Sequence, residues 1–218
     1  MPGESHRSGA VARAAAAAAA RDHGLHDLVR SAADVLAADF GFLTLVHDDV
    51  EEFVCVAGPL SSALPPTLPV GESVCRLVVE SGQPLLVPDL SLHPELRDLA
   101  EVRVLGLRSY AGAPVSGEDV VLGSFCVGSG SPRTWTGREA DLLTGLARAV
   151  SSELRLLVAL QELERVQALE REHAEEQAAL HRVATAVARG GSSSDVLHLV
   201  ATELAGLLGA RGAAVVRF

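Results

Sequence analysis

Three cysteines, an aspartate, an arginine and a single tyrosine carry most of the chemistry this 218-residue sequence offers. Cys55, Cys75 and Cys126 are scattered, odd in number and form no CxxC pair. That usage fits a reducing compartment and argues against a disulfide framework or a zinc knuckle. A reactive thiol needs partial exposure and an electropositive neighbour. All three cysteines sit in apolar runs, so their expected role is packing as small hydrophobes. Asp89 follows Pro88 at the end of a strand-like run, where it either caps the turn in DLSLHP or orients a ligand. Arg108 either holds an anion or pairs with a surface carboxylate. Tyr110, two residues on, either lines a pocket or packs in the core with its hydroxyl bonded.

These residues need elements to position them. The apolar positions Leu25, Leu28, Val29, Ala32 and Leu36 lie on one helical face. Phe42–Val46 and Phe53–Ala57 read as a hairpin around Asp48 and Asp49. Residues 58–71 hold four prolines and read as a loop. A short helix carries Val74, Leu77 and Val78 and stops at Gly82. PLLVPD is a strand, and residues 91–103 a loop with one helical turn. RSYAGAPV and VVLGSFCV are two more strands; the second is apolar at both parities and must be covered on both faces. Thr136 and Glu139 form a capping box that opens a helix which, after Gly145, meets no Gly or Pro until Gly190 and is dense in Glu and Arg at its middle. Val166, Leu169, His173, Glu176, Leu180, Val183 and Val187 follow a 3-4 spacing, an imperfect coiled-coil seam.

Residues 1–21 are expected to be a flexible leader, disordered to about residue 12. The alanine run at 14–20 is too weakly apolar for a signal-peptide core. The tail suggests a repeat: LVATELAGLLGARGAAVVR, from Leu199, aligns without a gap on LVRSAADVLAADFGFLTLV, from Leu28. Residues 190–218 therefore read as the start of a truncated second copy. The net charge of −10 and pI near 5.2 argue against nucleic-acid binding, which requires a basic patch. No apolar run reaches the roughly 18 residues of a spanning helix. The expected setting is the cytoplasm.

Four blocks in order, ESVCRLVVESGQPLLVPDL, LGLRSYAGAPV, VLGSFCV and SPRTWTGREADLLTGLARAVSSEL, resemble the second half of a GAF domain. The resemblance covers residues 22–157 and implies an α+β fold. Its core is an antiparallel six-stranded sheet flanked by helices, and residues 158–189 continue as a helical, coiled-coil stalk. It also implies a ligand pocket under a loop-helix layer, for which the candidates here are Cys75, Leu86, Asp89, Leu96, Leu107, Arg108 and Tyr110. Tandems of such domains joined by long helices resemble bacterial sensor kinases and related signalling proteins.

Some relatives of this family ligate haem through one histidine, a role open to His47 or His93, but no second ligand or attachment motif accompanies either. The residues around Cys75 show no chromophore-attachment motif. The sequence contains neither Asn nor Lys, so the cyclic-nucleotide signature of the family is missing. The expected function is a non-catalytic sensory module for an unidentified small molecule, dimeric through the stalk and free of metal. A ligand-free dimerisation platform is the alternative. A further one is a GAF-fold methionine sulfoxide reductase, which requires Cys75 and Cys126 to approach within disulfide range.

Overall fold

The computed structural model describes residues 2–20, 24–59, 64–189 and 193–207. Apolar, β-branched and aromatic runs form six strands: β1 (Phe40–Val46), β2 (Val50–Ala57), β3 (Thr67–Pro69), β4 (Leu85–Val87), β5 (Ser109–Ser116) and β6 (Val121–Ser129). They make one sheet in the order β3-β2-β1-β6-β5-β4, and every neighbouring pair is antiparallel. The central strands β1 and β6 are buried along almost their whole length, because helices cover both sides of the sheet, as the doubly apolar pattern of β6 requires. One segment departs from expectation. Residues 58–71, read as loop, contain the edge strand β3, which pairs Glu51 with Leu68 and Val50 with Pro69. An edge position tolerates a proline that a central strand would not.

On one face lie α1 (Pro2–Ala19), α2 (Leu25–Val35) and the opening turns of α5 (Gly137–Ala188). Their side chains meet Leu43, Leu45, Ala113, Val115, Phe125 and Val127 in a continuous apolar core. Here the expected flexible leader is corrected. Residues 2–19 form a helix, with Val11, Ala14, Ala17 and Ala18 buried. Alanine is the best helix former, and its small side chain lets the helix pack closely on the sheet. Arg7 anchors it by donating from Nη1 to the Val46 carbonyl at 2.6 Å and pairing with Asp48 at 2.9 Å.

The capping box forms as read: the Glu139 amide donates to Thr136 Oγ1 (3.2 Å) and the Thr136 amide to Glu139 Oε2 (2.7 Å). Arg133 joins this helix start to the end of α2. It donates to the carbonyls of Leu36 and Ala37 at 2.8 and 2.9 Å and lies 4.1 Å over the Trp135 ring.

On the opposite face, α3 (Cys75–Ser81), α4 (Ala100–Leu105) and two 3-10 turns at 70–72 and 90–92 cover a second core. It contains Phe40, Phe42, Val74, Val78, Val87, Leu90, Leu96, Leu107 and Tyr110.

Residues 161–218 form a separate compact unit. Within it, the later turns of α5 and α6 (Ser193–Leu207) are joined by Arg182, which donates from Nε and Nη2 to the two carboxylate oxygens of Glu203, each at 2.6 Å. Val166, Leu169, Leu180 and Val187 are exposed. The helix read in the tail forms as α6, and the strand expected at residues 213–216 lies outside the described residues. Among the described residues no helix is long and apolar enough to cross a membrane.

Candidate functional site

The core under α3 and α4 differs from its counterpart in containing acids. A β-bulge between Leu43 and Thr44 shifts the register of β2, so that Phe53 opposes Thr44 and Cys55 opposes Leu43. Without it, strict alternation would set Phe53 and Cys55 on the same side of the sheet. With it, Glu51 and Phe53 join Thr44, Phe42 and Tyr110 on the α3/α4 side. Cys55 falls into the apolar core of the other side, where burial pushes its thiol up to about 11.

Glu51 is fully buried on β2, Cys75 on the first turn of α3 and Glu101 on α4. A carboxylate oxygen of each glutamate and the Cys75 sulfur lie within 4.8 Å of one another. Tyr110 donates its hydroxyl to Cys75 Sγ at 3.3 Å and stands equally far from Ser124 Oγ. Cys126 Sγ is 3.6 Å from Cys75 Sγ. Gly112 makes room for this arrangement, since a Cβ there would collide with the Tyr110 hydroxyl.

Local structure holds the pieces in place. The Val74 amide donates to Glu101 Oε2 at 2.8 Å, so a side chain of α4 accepts from a backbone donor at the start of α3. In return the Ala100 amide donates to Glu72 Oε2 at 2.8 Å, which caps α4 from the segment before α3. The Cys75 amide donates to Ser73 Oγ at 2.9 Å. Gly82 closes α3 in the left-handed region at φ 62°, as its position in the sequence foretold.

The electrostatics are unfavourable to charge. Burial pushes the Glu51 carboxyl up; Ser73, Cys75 and Thr44 temper the rise, although neither Glu51 oxygen has a hydrogen-bond partner. Burial, then the neighbouring Glu51 charge, raises Glu101 well above the ordinary carboxyl range, and its Oε1 is also unpartnered. Burial first, then Cys126 and the two glutamates, pushes the Cys75 thiol well up. Burial likewise raises the Tyr110 hydroxyl.

Of the expected site residues, Cys75, Leu96, Leu107 and Tyr110 come together in this core. Leu86 does not. It opposes Ala111, a residue of the other face's core, and is 37% exposed. One residue of β4 therefore points the wrong way for the pocket, because strand neighbours alternate. Asp89 and Arg108 pair with each other nearer the surface, at 3.1 Å. Asp89 also caps the 90–92 turn by accepting from the Ser91 amide at 3.0 Å. The Arg108 and Ser91 hydrogen bonds hold its carboxyl down at about 2. His47 is engaged by Glu52 at 3.0 Å.

Sequence reasoning passed over Glu51 and Glu101. For Glu101 a signal existed, since it stands one helical turn before the buried Leu105 on a short amphipathic helix. For Glu51 the adjacent Glu52 masked it as a solvated pair. Apart from this cluster, an open cleft of about 480 Å³ lies between the β4–β5 edge and α5, lined by Pro84, Pro114, Thr144, Arg148 and Arg155 among others.

The family model described as GAF domain matches residues 21–154. No curated protein matches the sequence. Among solved structures, the blue-light absorbing form of the PixJ GAF domain of Thermosynechococcus elongatus is similar at 22% identity and a TM-score of 0.53, over 68% of this chain and 90% of that one. The GAF domain of an Acinetobacter phosphoenolpyruvate-protein phosphotransferase is similar at 18% identity and TM-score 0.52, over 71% and 93%. The free methionine-R-sulfoxide reductase of Neisseria meningitidis, solved with its substrate, is similar at 17% identity and TM-score 0.51, over 69% and 89%. At these identities the likeness is one of fold.

Proposed function

The chain belongs to the GAF domain family, and from that premise we propose that it is a sensory, non-catalytic module that binds a small ligand beneath α3 and α4 and passes the event on through α5. One observation carries this reading: α5 begins in the sheet core and runs on as one 52-residue helix. Its Leu143, Val150 and Leu154 are buried against the sheet, while Leu163, Val166, Leu169, Leu180 and Val187 are exposed. Exposed apolar residues at coiled-coil spacing are satisfied by a parallel helix from a second chain. A ligand that prefers one packing of the lid helices shifts the population of helix arrangements by its differential affinity. The second half of a tandem and a downstream output domain complete this picture of a signalling protein.

Sedimentation tests the stalk. The protein is expected to be a dimer at tens of micromolar, and Leu180→Glu combined with Val187→Glu to be a monomer whose first domain keeps its melting temperature. A monomeric wild type overturns the reading.

The 3.6 Å approach of Cys75 and Cys126 favours a second reading, reduction of a sulfoxide. There the two thiols would form a disulfide as the sulfoxide becomes thioether and water. Against it, burial raises the Cys75 thiol, which starves the site of the nucleophilic thiolate. Turnover of free methionine sulfoxide with dithiothreitol, abolished by Cys75→Ser or Cys126→Ser, would replace the sensory reading by the enzymatic one.

A further inference from the structure

We infer that the buried side-chain cluster beneath α3 and α4 is a metal site, binding one divalent transition-metal ion through Glu51, Cys75 and Glu101. The inference rests on reading this cluster as the ligand site of a sensory module, and it names the class of ligand. Three fully buried donor groups converge there from three separate elements, their ligand atoms within 4.8 Å of one another. Contraction by about 1 Å would bring them to the spacing of oxygens and sulfur around a cation with bonds of about 2.0–2.3 Å.

The second observation is what these groups lack. Both oxygens of Glu51 and Oε1 of Glu101 are buried without a donor. An ionised carboxylate can only accept, so two of them in an apolar core must either stay protonated, as burial alone makes them, or take up a positive charge that joins them. The one filled oxygen, Glu101 Oε2, is held by the Val74 amide. That bond fixes the glutamate and leaves its other oxygen for the ion, as an outer hydrogen bond orients a metal ligand.

The donor set selects the metal. Calcium and magnesium take six or more oxygens and gain nothing from a thiol, whereas copper(I) favours sulfur throughout. Two carboxylates with one thiolate suit an ion of borderline softness, zinc or ferrous iron. Such an ion also removes the thiol proton outright. Cys126 flanks the site: its sulfur is 3.6 Å from that of Cys75, and two thiolates sharing a tetrahedral zinc stand about 3.8 Å apart for bonds of about 2.3 Å.

The test uses the full chain, stripped with a chelator and titrated with cobalt(II), whose thiolate bond gives a charge-transfer absorption. The expected result is one cobalt per chain with that absorption, displaced by zinc. Cys75→Ser should lose the absorption, and Glu51→Gln should weaken binding at least tenfold. Glu51 makes no hydrogen bond whose loss would unfold the chain, and circular dichroism of Glu51→Gln verifies its fold. Cobalt bound without charge transfer, as by surface histidines, overturns the site, as does an unchanged affinity in Glu51→Gln. Sedimentation of the same samples separates the two readings. A monomer that binds cobalt keeps the site and rejects the stalk, whereas a dimer that does not bind it rejects the site alone.

Discussion

The two faces of the sheet are built on opposite terms. Beneath α1, α2 and α5 the core is mostly alanine, valine and leucine, with Phe125, Trp135 and Cys55, and the buried Ser151 there is satisfied: it donates to the Ala147 carbonyl at 2.7 Å and accepts from the Ser116 amide at 3.0 Å. Beneath α3 and α4 the chain buries two carboxyls, two thiols, a phenol and hydroxyls, and leaves several of their atoms unpartnered. Buried polar atoms are normally paired. Both faces leave a few polar atoms unpartnered, but on the first these are neutral groups such as Trp135 Nε1, whereas the second leaves carboxyl oxygens of two acids side by side. Burying acids costs far more than burying neutral groups, which points to a site maintained at the expense of stability. The first face holds the domain together; the second carries the proposed site.

The comparison can be broken most forcefully on the apolar side. Leu154 is fully buried on α5, so Leu154→Ala should lower the unfolding free energy by about 2–5 kcal/mol, read by denaturant titration. Cobalt stoichiometry should stay unchanged. Loss of metal binding in that variant would show that the two faces are one energetic unit. The opposite sign is expected across the sheet. In metal-stripped protein, Glu51→Met replaces an unpaired buried acid by an apolar side chain of similar size and should stabilise by about 1–4 kcal/mol. A loss of stability there would mean that Glu51 is paired after all.

A smaller effect is expected at the lid. Gly82→Ala forces a side chain into the left-handed conformation at φ 62°, which costs about 1 kcal/mol. Because Gly82 ends the helix that carries Cys75, the variant should also alkylate faster at Cys75 than the wild type; equal rates would detach the lid from the site.

The smallest effect is at the rim. Arg108 and Ser91 hold the Asp89 carboxyl at about 2 against an ordinary 3.8. A depressed acid stabilises the fold above its unfolded value and loses that contribution as pH falls through the folded one. The melting difference between wild type and Asp89→Asn should therefore be constant above about pH 4–5 and shrink toward pH 2. A difference independent of pH would show that the ion pair adds nothing.

Much of the architecture was legible because its signals are local. The Thr136–Glu139 box, the Gly82 stop and the alternating strands each act within about one helical turn or one pleat, so neighbours in sequence suffice to read them. The leader was misread for a related reason: alanine indicates a helix but says little about burial, and only the sheet beneath it supplies the contact.

The candidate site was half legible. Cys75, Leu96, Leu107 and Tyr110 share the core beneath α3 and α4, yet Leu86 belongs to the other face and both glutamates were missed. What sequence determined here is the set of strands and helices and the residues each can present. Tertiary structure alone decided which of them meet. Glu51 turns inward beside Cys75 through the register of β2, and Cys55 is sent to the far side by a bulge that no local pattern announces. Cys75 reaches Cys126 across 51 residues and Val74 reaches Glu101 across 27. Such meetings follow from strand pairing and from the packing of two short helices on the sheet, and these long-range contacts are set by the whole chain's burial.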